Sequence, residues 1–124
     1  MKRDTGEPDF DTLLEKCRRE LARGKETNTG LQMVCNLLYR EVDHYNWFGF
    51  YLVIPGERML VLGPYEGEPT DHVRIPFGRG ICGQAADRGE TFVVDDVTKE
   101  SNYLACSLKT RSEIVVPIYR DGVV

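Results

Sequence analysis

Two cysteines of this chain stand in loops: Cys82 in "GRGICG" (78–83) and Cys106 in "YLACSLKTR" (103–111). Placed there, a thiol suits redox chemistry, metal binding or plain packing. Glycines let a backbone take positive φ and approach a neighbour closely. A glycine turn running into a helix start also points unpaired N–H groups at the thiol, which favours the thiolate. Filling a small gap between that helix and a sheet accounts for Cys82 equally well. Cys106 has Lys109 and Arg111 nearby in sequence, cations of the kind that lower a thiol pKa. Glu113 opens an otherwise apolar strand. There it is either an ordinary solvated strand end or a pocket carboxyl with a raised pKa, able to donate a proton.

His72, just before "VRIPF", reads alone as a half-exposed surface histidine. With Cys82 and Cys106 it could complete a three-ligand zinc or iron site, since imidazole and thiolate suit both metals. No C-x-x-C spacing supports that reading. Trp47 and Tyr51 lie four residues apart on one strand and so face the same side of the sheet. They make either an aromatic wall for a small ligand or ordinary core. The glycines of "GRGICG" are not followed by the Lys-Ser/Thr of a phosphate loop. Cys17 and Cys35 fall inside apolar helical stripes and read as small core hydrophobes.

These residues need elements to hold them. Phe10, Leu13, Leu14, Cys17 and Leu21 recur at helical spacing, and "RGKETN" ends that run. Leu31, Val34, Cys35, Leu38 and Val42 form the stripe of a second helix, which Asn28 or Thr29 can cap. At "NWFGFYLVI" (46–54) the pattern becomes that of a well-buried strand. The turn "PGER" returns the chain through "MLVLGPYEG" (59–67) as a hairpin. "HVRIPF" is a short strand, residues 78–89 a glycine turn and helix ending at Gly89, and "TFVVDD" a strand. Residues 97–111 form an irregular loop and 112–120 a further strand. Asp121-Gly122 signals a tight turn, with Val123-Val124 pairing back onto 113–119. The order describes an α+β domain over 10–124 with a mainly antiparallel sheet, after a flexible segment 1–9.

Composition narrows the function. The 124 residues carry 20 acidic and 16 basic side chains, for a net charge of −4, with the signs interspersed. No basic stripe points to nucleic acid, no apolar run approaches a membrane span, and "MKRDTGEPDFD" has no signal-peptide core. A cytoplasmic protein is expected, with its four cysteines buried, metal-bound or redox-active rather than in structural disulfides.

Taken together, "NWFGFYLV", "LVLGPYEG", "VRIPFGRGICGQAA", "DDV" and "YLACSLKTRSEIVVPIYRDG" resemble a GAF domain of the free methionine-R-sulfoxide reductase type, from about Gly30 to Val124. The resemblance implies a six-stranded antiparallel sheet with helices on one face and a small ligand cavity on the other. It also implies thiol-dependent reduction of free methionine sulfoxide, a thioredoxin-like reductant, no cofactor, and by analogy a homodimer. In that frame Cys106 is the catalytic cysteine, Cys82 the family's middle cysteine, Glu113 the proton donor, and Trp47 and Tyr51 the lining of the substrate pocket. Two departures stand out. His72 occupies the place of the family's first, resolving cysteine, which leaves Cys82 or an external thiol to resolve the sulfenic acid. The chain also stops before an acidic "LDID"-like strand, so a C-terminal strand and helix are expected to be missing. The alternative is a GAF module that binds a small ligand or senses redox state without turnover.

Overall fold

The computed structural model describes residues 9–23, 26–97 and 112–124, so Cys106 and its loop lie outside the described residues. The elements are α1 (Phe10–Arg23), α2 (Thr27–Glu41), β1 (Trp47–Val53), β2 (Met59–Gly67), β3 (Arg74–Pro76), α3 (Gly80–Arg88), β4 (Phe92–Val94) and β5 (Glu113–Val115). The chain forms two compact units. One comprises Met1–Phe50 with Gly63–Glu68, the other Tyr51–Leu62 with Pro69–Val124.

In the first unit α1 packs against α2. The Asp9 carboxylate caps α1, accepting from the backbone N–H groups of Asp11 (3.1 Å) and Thr12 (3.3 Å) and from the Thr12 hydroxyl (2.7 Å). Those bonds, led by the Thr12 hydroxyl, hold its carboxyl below the usual range. Asp9 is thus part of the helix start rather than of a loose tail. Helix α2 begins at Thr27 after Glu26, with no side-chain cap, so Asn28 and Thr29 lie inside the first turn and do not cap it. Gly30 is buried, and a Cβ there would stand 3.1 Å from Leu21 Cδ2. A small residue therefore lets the two helices approach. Cys35 and Val42 are fully buried, whereas Cys17 is only half-buried. Leu37, absent from the expected stripe, is buried in it.

A three-stranded sheet runs in the order β1-β2-β3. Strand β1 is half-buried at every position, less covered than its unbroken apolar run suggested. Strands β2 and β3 pair antiparallel with Leu60 opposite Ile75. In the second unit Leu60, Ile75 and Ala86 form one core cluster, with Tyr51, Val53, Phe77 and Cys82 packed against it. Ile81, Val94 and Val97 form another, joined by Phe92 and Val115. Helix α3 supplies both, Ala86 to the first and Ile81 to the second.

Strands β4 and β5 make a separate antiparallel pair, with Val94 opposite Glu113. The described strands thus form sheets of three and two rather than one of six. Strand β5 is shorter than the stretch 112–120, because Pro117 has no N–H to extend a ladder. The tight turn forms as expected, with positive φ at Asp121 (54°) and Gly122 (79°). It closes a single bridge, Arg120 to Val123, and not a strand returning onto 113–119.

Candidate active site

Cys82 is the third residue of α3, inside its first turn. The glycines around it have distinct tasks. Gly78 (φ 88°) and Gly80 (φ 65°) take left-handed backbone, which turns the chain from β3 into the helix. Gly78 N–H donates to the Gly83 carbonyl at 2.8 Å and closes that turn. Gly83 is needed for space: a Cβ there would lie 2.6 Å from the Pro76 carbonyl oxygen. The loop is thus built by close backbone packing of α3 on β3. The Cys82 side chain is half-buried beside the Leu60–Ile75–Ala86 cluster.

A second clamp fixes the far end of the helix. The Arg58 guanidinium pairs with Asp87 and stacks over the Phe77 ring, 5.0 Å from its centroid. The Tyr119 hydroxyl donates to the Gly89 carbonyl just beyond α3. Gly89 itself sits at φ 66° in the left-handed helix cap.

Tyr51 and His72 meet through the main chain. The Tyr51 hydroxyl donates to the His72 carbonyl at 2.7 Å, and His72 N–H donates to Thr70 Oγ1 at 3.1 Å. Tyr51 therefore anchors the loop before β3, a role that no spacing rule announced. Trp47 belongs to the other unit. Its ring stacks on Tyr65, 5.5 Å between centroids and 14° between planes, and its Nε1–H donates to the Glu68 carbonyl at 3.1 Å. Gly49 and Gly67 leave room for that indole, since a Cβ on either would come within 3 Å of it.

Glu113 is held in β5 opposite Val94, a residue of the Ile81 cluster. Burial pushes its carboxyl up to about 7, because charge is disfavoured away from water. At neutral pH such a group holds a proton part of the time and can give it to a neighbouring oxygen. Among the described residues no three His, Cys, Asp or Glu side chains gather as a metal site. The second unit thus contains Tyr51, His72, Cys82 and Glu113, while Cys106 lies outside the described residues.

The sequence pattern of the GAF domain matches residues 27–124. This chain belongs to the GAF domain family. Free methionine-R-sulfoxide reductase of Saccharomyces cerevisiae is 47% identical over 79 residues, covering 62% of this chain and 43% of the yeast protein. Protein YtsP of Bacillus subtilis is 37% identical over 116 residues, covering 94% of this chain and 71% of that protein. The X-ray structure of free methionine-R-sulfoxide reductase from Neisseria meningitidis in complex with its substrate matches with TM-score 0.85 at 35% identity, covering 99% of this chain and 74% of that one. The matched stretch spans less than half the length of the yeast and Escherichia coli reductases, 43% and 48%. Among the described residues no helix is long and apolar enough to cross a membrane.

Proposed function

We propose that the protein is an oxidoreductase that reduces free methionine-R-sulfoxide to methionine with thiols. The observation that carries this reading is the Glu113 carboxyl, raised by burial to about 7, in a GAF chain whose relatives include named reductases of this kind. Cys106 attacks the sulfoxide sulfur as thiolate while Glu113 protonates the departing oxygen. The protonated oxygen then passes from the substrate sulfur to Cys106 Sγ as the newly formed S–S bond breaks. Methionine leaves, Cys106 is left as sulfenic acid, and the substrate sulfur has gained two electrons from the thiolate. The Cys82 thiol then condenses with the sulfenic acid, releasing water and forming a disulfide. A dithiol reductant of the thioredoxin type reopens that bond by thiol–disulfide exchange. Tyr51 holds the loop carrying His72. His72 carries no thiol, so resolution falls to Cys82 or directly to the external reductant.

A second reading, a ligand-binding GAF module without turnover, draws on that same His72, which cannot resolve a sulfenic acid. Dithiothreitol-supported reduction of the R epimer, with the S epimer as control, separates the two. R-selective turnover that Cys106→Ser abolishes while the circular dichroism is kept is the expected result. If parent and Cys106→Ser bind methionine sulfoxide equally and neither turns it over, the reductase reading fails and the binding module stands.

A further inference from the structure

The turn that joins β1 to β2 carries a residue to which the proposed chemistry gives no task. Arg58, just before the first residue of β2, is tied to the cysteine loop in three ways. Its carbonyl accepts the Phe77 N–H at 3.1 Å. Its guanidinium lies 5.0 Å from the centroid of the Phe77 ring, and the same guanidinium pairs with Asp87. Phe77 directly precedes Gly78, where the loop begins, and Asp87 lies in the last turn of the helix that carries Cys82. One residue thus reaches both the entrance to the loop and the helix that leaves it.

The loop between those two points is a short ring of main-chain bonds. Gly78 N–H donates to the Gly83 carbonyl at 2.8 Å, and Arg79 N–H to the Pro76 carbonyl at 3.1 Å. Asp87 stands beside this ring, since a Cβ on Gly78 would lie 3.8 Å from Asp87 Oδ2. Phe77 and Cys82 also pack against the same Leu60–Ile75–Ala86 cluster. Arg58 is 70% exposed and Asp87 39%, and an ion pair so open to water contributes little to stability by itself. What it contributes is direction. A planar guanidinium stacked on one partner and paired with another restricts both to one geometry. Because α3 already lies against the backbone of β3 at Gly83, a small movement of the helix would change what covers the thiol.

We propose that Arg58 is a positioning residue for Cys82: it holds α3 and the glycine turn together, so that the half-buried thiol keeps its place at the helix start. The bearing of this on catalysis rests on Cys82 being the thiol that resolves the sulfenic acid.

Alkylation of the native full chain with iodoacetamide, mapped at Cys82 by mass spectrometry, tests the placement without calling on turnover. Arg58→Met removes the charge and the planar fork, and Asp87→Asn removes the charge of the other partner. A direct electrostatic effect on the thiol would move the rate in opposite directions, because one variant deletes a cation and the other an anion. Loss of a clamp uncovers the thiol in both. Each variant should therefore raise the Cys82 rate about fivefold, and the double variant no further than either single one. Val34→Ala, which empties buried space in α2 and lowers overall stability, should leave the Cys82 rate unchanged. An unchanged rate in Arg58→Met, opposite signs in the two variants, additive effects, or an equal rise in Val34→Ala would each overturn the proposal. In a single turnover with methionine-R-sulfoxide, Arg58→Met should slow formation of the Cys82 disulfide about tenfold more than it slows release of methionine. Equal slowing of the two steps would mean that Arg58 does not act through Cys82. If the parent releases no methionine, the reductase reading fails, and the labelling still decides the place of Arg58.

Discussion

Cys35 and Cys82 are both helix cysteines, yet their surroundings make them different reagents. Cys35 sits in the middle of α2, fully buried, with its Sγ–H donating to the Pro64 carbonyl at 3.4 Å. Burial, and after it the Glu66 carboxylate, pushes its thiol up to about 12. Cys17, on α1, is raised by burial too. Cys82 lies half-buried in the first turn of α3, at the positive end of the helix dipole. Position along the helix matters as much as burial. A thiol in the middle of a buried stripe loses the water that would stabilise its charge, whereas one in a first turn meets the positive end of the peptide dipoles.

The sharpest way to test this contrast is labelling. From an ordinary value of 9.0 to about 12, the thiolate fraction of Cys35 falls roughly a thousandfold at neutral pH. Native protein treated with iodoacetamide and mapped by mass spectrometry should therefore show Cys35 reacting at least about a thousandfold more slowly than in urea. Cys82 should keep a much larger share of its unfolded rate. Equal protection of the two would break the comparison.

The next expected effect concerns how Cys82 is held. Gly83→Ala would place a Cβ 2.6 Å from the Pro76 carbonyl oxygen and 3.2 Å from Gly78 N, both backbone atoms that cannot swing aside. Lifting α3 from β3 should cost about 3–4 kcal/mol in urea unfolding. Gly56→Ala is the matched control. Its φ is +78° but nothing lies within 4 Å, so only the left-handed backbone is penalised, by about 1 kcal/mol. Equal losses at the two positions would mean that close packing at Gly83 is not what positions the cysteine loop.

Much of this arrangement was legible before any coordinates. The 3.6-residue stripe gave α1 and α2, and the aromatic, β-branched run gave β1. The glycines around Cys82 marked a strand-to-helix turn, and Asp121-Gly122 marked a tight one. What periodicity could not supply was competition between partners. Glu26 precedes α2 while Asn28 and Thr29, better caps by type, are drawn into the helix, and Pro117 cuts β5 short. The tasks of Tyr51 and Gly83 depend on a carbonyl 21 residues away in sequence and on the backbone of another element. Such facts exist only once the chain is folded. The Glu113 proposal lay between these cases. An acid among Ile, Val and Val suggests burial, but only the fold determines how much water is lost.

Glu113 offers the smallest of the effects and the one most closely tied to function. In the fold its carboxyl titrates near 7, against 4.5 in the open chain. Below the lower value both states are protonated and the group is neutral to stability. Between the two values the unfolded chain has released its proton and the native state has not, so unfolding is increasingly favoured as pH rises. Above about 7 both states are ionised and the full penalty of a buried carboxylate is present, roughly 3 kcal/mol. Glu113→Gln removes that titration while nearly preserving shape. At pH 8 the variant should be more stable than the parent by about 3 kcal/mol, and near pH 4 the two should coincide. Parallel pH–stability curves would mean that Glu113 ionises as a solvated side chain, as any strand-end carboxylate would. The proposed acid role would then lose its physical basis even if Cys106 proved essential.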